Sequence, residues 1–222
     1  MRSKLKDRIL PSYSRGEEIF NMVSHIVGAS LGVVALFACI ILSAWRNNII
    51  GMVSSGVYGL SMITLYTMSS LYHGLKSERA KKIFQVLDHC AIYLLIAGSY
   101  TPIALNALRR VDNSLGWVVF GLQWALAIIA ITLTAIDLKK YQLFSMVFYL
   151  FMGWGVLLIS SATIRALTLP GFVLLLAGGV AYTIGAILYG IGKKKRYMHN
   201  IFHVFVLIGS FFHFFTILLF AL

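Results

Sequence analysis

Four ionisable side chains stand inside otherwise apolar stretches of this chain: His73, Asp88, His199 and His203. Ionisable groups are costly inside a bilayer, so where they occur they mark a site. His199 and His203 are four residues apart, which puts both imidazoles on one helical face where they can chelate one ion. Ser69 and His73 have the same spacing and also share a face. Three imidazoles and a carboxylate could hold zinc with one coordination position left for water, whose pKa zinc lowers to about 7. Asp88 would then bind the metal, hold the water or act as general base, and spacing alone does not choose among these.

The elements that must deliver these groups are transmembrane helices. The chain has 222 residues, is 59% hydrophobic and has a mean hydropathy of +0.86. That composition excludes an ordinary soluble domain. The apolar runs are long and continuous, without the alternation of barrel strands, so the fold class is an all-α integral membrane bundle. A helix needs roughly 20 apolar residues to cross the hydrocarbon core. Seven stretches qualify, at about 22–44, 49–72, 83–105, 115–136, 143–164, 170–191 and 199–220. Residues 1–21 form a polar, basic segment without a cleavable signal pattern, expected in the cytoplasm, with 22–222 as the seven-helix domain.

Orientation follows from the positive-inside rule. With the N-terminus inside, fifteen of the 19 Lys and Arg residues fall in cytoplasmic segments. These are Arg2, Lys4, Lys6, Arg8, Arg15, Lys76, Arg79, Lys81, Lys82, Lys139, Lys140 and the run Lys193, Lys194, Lys195, Arg196. Only Arg46, Arg109, Arg110 and Arg165 fall outside. The net charge of +12 therefore reports topology and gives no indication of nucleic-acid binding. An odd number of spans leaves the C-terminus extracytoplasmic. His73 then lies at the inner end of the second span, Asp88 just inside the third, and His199 and His203 at the inner end of the seventh. For any one histidine, hydrogen bonding between helices is the ordinary role. Three histidines and an aspartate at one depth favour a metal.

The other polar and small residues have more modest readings. His213 lies ten residues beyond His203, roughly 15 Å deeper, and reads as a core polar contact. His89 points away from Asp88 and reads as packing or support. His25 has the right depth, with Glu17, Glu18 and Asn21 just before it. His25, Asn21 and Glu17 are the candidates for supporting the ligands or closing the cytoplasmic mouth. Gly28-x-x-x-Gly32 allows close helix approach. Cys39 and Cys90 read as small apolar packing rather than as a disulfide.

Several motifs together resemble a known family. They are Glu17-Glu18-Ile19-Phe20-Asn21 through His25, Ser69-Ser70-Leu71-Tyr72-His73, Asp88, Gly98-Ser99-Tyr100-Thr101-Pro102, and His199-Asn200-Ile201-Phe202-His203. In this order they look like the progestin and adipoQ receptor family, specifically its bacterial hemolysin III branch. The resemblance implies a seven-helix bundle with a cytoplasmic N-terminus in the bacterial plasma membrane. It implies zinc on His73, His199 and His203, Asp88 contacting the zinc-bound water, and Ser69 as the motif serine. The superfamily also includes alkaline ceramidases, zinc-dependent amide hydrolases, and adiponectin receptors are linked to ceramide hydrolysis. This chain departs from the receptors in its short N-terminal region and loops, so no protein hormone is expected as a partner.

The leading expectation is a zinc-dependent intramembrane hydrolase acting on a lipid amide or ester, with Asp88 and Ser69 in the reaction. A second reading is a non-enzymatic sensor of membrane state in which zinc only locks helices together. A third, suggested by the branch name, is a cytolytic (haemolytic) protein. Helices that are apolar all round argue against a secreted pore-former. Membrane lipids are the expected partners, and the sequence leaves homodimerisation open.

Overall fold

A computed structural model describes residues 9–192 and 195–222. The basic residues Arg2, Lys4, Lys6, Arg8, Lys193 and Lys194 lie outside the described residues. Six helical runs are long and apolar enough to cross a membrane, and there is no strand among the described residues. The helices are α1 (Arg15–Trp45), α2 (Ile49–Gly74), α3 (Glu78–Pro102), α4 (Asn113–Ile136), α5 (Gln142–Trp154), α6 (Ser160–Gly192) and α7 (Met198–Thr216). α3 runs on through a π-helical stretch after Pro102, and α5 joins α6 through a 3-10 stretch, Gly155–Ile159.

The exposed surface is apolar, with Val27, Phe37, Ile41, Val118, Ile128 and Leu158 all more than half exposed. Ser54, Thr134, Thr163 and Asn21 are fully buried. Apolar outside and polar inside is the arrangement of a bundle whose solvent is lipid, where polar side chains find partners only on neighbouring helices. α1 packs on α2 at the predicted small-residue pair. A Cβ at Gly28 would come within 2.4 Å of the Tyr66 ring, and one at Gly32 within 3.1 Å of the Ile63 backbone nitrogen. Cys39 and Cys90 are both buried, and neither is in a disulfide.

The first helix begins at Arg15 rather than near residue 22. Its start is fixed by a capping box, in which the Ser14 hydroxyl and backbone N–H face the Glu17 carboxylate and the Ser14 oxygen accepts from the Glu17 N–H. α3 likewise starts at Glu78, capped by Ser77, several residues before its apolar stretch. Hydropathy finds the lipid-facing length of a helix, whereas capping finds its first residue.

The run Gln142–Gly192 folds back on itself at Thr168, whose φ of 63° and ψ of 168° interrupt the helix. Across this reversal the Trp154 indole N–H donates to Thr183 Oγ1 at 3.0 Å, and Gln142 Nε2 donates to the Tyr189 hydroxyl at 3.3 Å. A continuous helix would hold Trp154 and Thr183 roughly 40 Å apart. Pro170 stands two residues after the break, in the first turn of the second leg, where its missing N–H costs no helical hydrogen bond.

At the end of the bundle where α1 stops, Asn48 donates to Asn106 Oδ1 at 2.8 Å. Asn106 and Arg110 both donate to the Ala221 carbonyl, and Arg46 to that of Leu222. The opposite end carries His73, His199 and His203.

Candidate metal centre

Three imidazoles meet at the end where α1 starts, α2 stops and α7 starts. His73 comes from the last turn of α2, and His199 and His203 from the first turns of α7. His73 and His203 are buried, while His199 is partly exposed at the mouth. Their Nε2 atoms face one another, with His73 to His199 at 3.4 Å and His199 to His203 at 3.1 Å. One potential ligand atom from each residue lies within 4.8 Å of the others.

The far side of each ring decides what the near side can do. His73 Nδ1 lies 2.6 Å from Glu18 Oε2, and Glu18 Oε1 is paired with Lys81. The carboxylate accepts the Nδ1 proton and leaves a lone pair on Nε2, the arrangement by which carboxylates orient metal-binding imidazoles. The Asn21 amide, 3.5 Å from the same Nδ1, stands behind this bond. The Ser24 hydroxyl donates to the Asn21 carbonyl at 2.9 Å. Its oxygen, 3.4 Å from His203 Nδ1, is therefore left to accept, which again frees Nε2. Two of the three rings are thus held in the tautomer a metal requires.

The spacing fits a divalent ion. Zn–N bonds of about 2.0–2.1 Å at a tetrahedral angle place two nitrogens about 3.3–3.4 Å apart. Neutral nitrogens facing each other at 3.1 and 3.4 Å repel unless a proton or a cation lies between them. The donor set, three borderline-soft nitrogens, suits zinc.

The remaining predicted residues take distinct places. Asp88 does not join the 4.8 Å set, so its carboxylate stands back from the three nitrogens. The buried Ser69 hydroxyl, which closes no full hydrogen bond, faces the Asp88 carboxyl. Tyr13, Tyr72 and Tyr189 lie within electrostatic reach of Asp88. His25 stacks on His203 with centroids 3.7 Å apart, and neither of its ring nitrogens has a hydrogen-bond partner among the described residues. Glu17 does not reach an imidazole. Its carboxylate caps α1 and accepts the backbone N–H of Tyr197 at 3.0 Å, holding that residue at φ 63° just before α7. Glu17 therefore places the helix that carries His199 and His203, and Glu18 is the glutamate that touches a ring.

His89 and His213 lie apart from the cluster. The His89 ring bonds the Gln85 carbonyl at 2.8 Å and the Tyr189 hydroxyl at 3.2 Å. His213 contacts the Leu175 carbonyl at 3.3 Å and the edge of Tyr182.

Glu18, Ser24 and Tyr13, whose ring stacks on His199 at 4.9 Å, had no role at the site assigned from the sequence, and Lys81 had only its part in the topology. Burial pushes the Tyr13 phenol above its ordinary value, so it stays protonated.

These features define a multi-pass helical membrane protein of the cell membrane with a three-histidine cluster suited to a metal ion. The chain matches the family described as Haemolysin-III related over residues 13–214, and it belongs to that family. It is 40% identical to Hemolysin-3 of Bacillus cereus, covering 93% of this chain and 92% of that one. It is 38% identical to the Hemolysin-3 homolog of Bacillus subtilis (strain 168), covering 92% and 94%. A more distant relative is the human Monocyte to macrophage differentiation factor, 23% identical over 90% of this chain and 83% of that one.

Proposed function

We propose that the cluster binds zinc and that the protein is a zinc-dependent hydrolase of a lipid amide or ester. The observation that carries this reading is the convergence of three imidazoles, with His199 Nε2 at 3.4 Å from that of His73 and 3.1 Å from that of His203, and with two of the rings held in the metal-ready tautomer by Glu18 and Ser24. A zinc ion bound there supplies Lewis acidity, polarising a carbonyl and acidifying water. Asp88, set back from the nitrogens, would hold the water that the ion activates. It would accept a proton from the attacking water and return it to the leaving nitrogen or oxygen. Ser69 would orient the Asp88 carboxyl or donate to the developing oxyanion. The Tyr189 hydroxyl is already engaged by His89 and Gln142, so its part is to fix the wall of the site.

The chain is proposed to cross the membrane seven times with its N-terminus in the cytoplasm. The reversal at Thr168 supports this count by dividing the 51-residue run Gln142–Gly192 into two antiparallel legs. Among the described residues, Arg15, Lys76, Arg79, Lys139, Lys140, Lys195 and Arg196 lie toward the histidine end, which supports a cytoplasmic site.

The second reading is a sensor in which the ion only ties helices together. It draws support from the ligands' origin on α2 and α7, with α1 clamped to both through Glu18 and Ser24. The relatives named Hemolysin-3 suggest haemolysis, but lipid-facing apolar surfaces on these helices favour residence in the producer's membrane.

The test is metal analysis of purified protein coupled to lipidomics. His203→Ala and His199→Ala should lose both bound zinc and lipid turnover. Zinc loss without any change in lipid products would favour the sensor, and turnover by a metal-free variant would refute the hydrolase mechanism.

A further inference from the structure

The three imidazoles are not held alike. His73 leans on Glu18 and His203 on Ser24, each through Nδ1. His199 has no hydrogen bond among the described residues beyond its Nε2 contacts with the other two histidines. Its ring is enclosed by aromatic neighbours instead. Tyr13 stacks on it at 4.9 Å with planes 22° apart, and Phe202 and Tyr189 lie at 5.4 and 5.8 Å. The Tyr13 ring also lies 5.7 Å from that of His73 and so covers two of the three candidate ligands.

Tyr13 belongs to the non-helical strap that precedes α1, anchored one residue later by the Ser14–Glu17 capping box. Beside that strap lies a polar cavity of about 430 Å³ that reaches the turn at Lys195–Tyr197, with Tyr13 and His199 both in its wall. Glu17 ties the two sides together by accepting the Tyr197 N–H at 3.0 Å. Of the three candidate ligands, His199 is the one in the wall of this cavity, and Tyr13 is the ring stacked on it there.

We infer that Tyr13 is a positioning residue for His199 and, by holding that ring, slows the exchange of a bound ion with this cavity. The inference rests on the reading of the cluster as a metal site. With the ring in place, the imidazole of His199 is fixed in the ligating orientation and a bound ion exchanges slowly with the cavity. With the ring gone, His199 is free to turn and the ion escapes toward water. The ring performs this role, not the hydroxyl.

The experiment uses the full chain in detergent or nanodiscs, loaded with zinc, mixed with an excess of a chromogenic chelator and followed by stopped flow. An aromatic stack alone accounts for a change of about two- to twelvefold in an equilibrium constant. Tyr13→Ala should therefore release zinc about tenfold faster than wild type, and Tyr13→Phe within about twofold of it. Tyr13→Leu keeps apolar bulk without the stack and should release as fast as the alanine variant. It also provides the test if the alanine variant does not fold. Wild-type protein that holds zinc while the Ala and Leu variants release it at the wild-type rate overturns the role of Tyr13 and leaves the metal site standing. A Phe variant as fast as Ala overturns the assignment to the ring. Wild-type protein that binds no zinc removes the metal reading, and this inference with it.

Discussion

Replacing Glu18 with Gln tests the metal centre without touching a ligand. Among the described residues the carboxylate is the one charged partner of His73 Nδ1, at 2.6 Å, and its side chain is 18% exposed. Glutamine keeps the shape and can still accept a hydrogen bond but loses the charge. A hydrogen bond to a charged group contributes about 1.5–3 kcal/mol and a neutral one about 0.5–1.5 kcal/mol. The difference, about 1–1.5 kcal/mol, corresponds to about a five- to tenfold loss of zinc affinity, at the lower end of the 10–100-fold typical of residues that orient metal ligands. Glu18→Ala, which also leaves Lys81 without this partner, should cost more, approaching 100-fold. The assay is competition for zinc against a calibrated chelator at fixed pH, with thermal unfolding of the metal-free protein as the control for folding. If Glu18→Gln binds zinc within twofold of wild type while folding normally, the carboxylate is not what holds His73 in its ligating tautomer.

Two further outcomes are expected. Gly28→Leu should lower the thermal transition in detergent, because even the first added carbon would come within 2.4 Å of the Tyr66 ring and overpacking costs about 1–3 kcal/mol. An unchanged melting temperature would mean that α1 and α2 can separate freely. Single cysteines placed at Lys76 and at Arg165 in a cysteine-free background should react with a membrane-impermeant maleimide from opposite sides of inverted and right-side-out vesicles. Labelling from the same side would refute the proposed topology.

The convergence of His73, His199 and His203 was legible because hydropathy and charge bias set depth, and depth alone brought them to one end of the bundle. The partners of those rings were not legible in the same way. Glu17 and Glu18 are adjacent, and only the rotation of α1 against α2 and α7 decides which one caps the helix and which one reaches His73. Ser24 acquires its role from a bond to a residue 179 positions away, for which a single sequence offers no signal. The early start of α1 did have one, since Ser14 and Glu17 form the S-x-x-E capping pattern. The reversal near Pro170 was legible from the proline and the dip in hydropathy between 164 and 170. Tyr13 was not, because a half-buried ring on a strap looks like any other tyrosine in an N-terminal segment.

The distance along the chain between the candidate ligands has a consequence for biosynthesis. His73 and His199 are 126 residues apart, and α7 follows the other long helices among the described residues. While α1 to α6 enter the membrane, His73 can rest against Glu18 but has neither of its partner nitrogens. The three-nitrogen set is completed only when α7 docks against α1 and α2. Acquisition of metal would then wait for α7, and the ion would bind helices already docked rather than guide their docking.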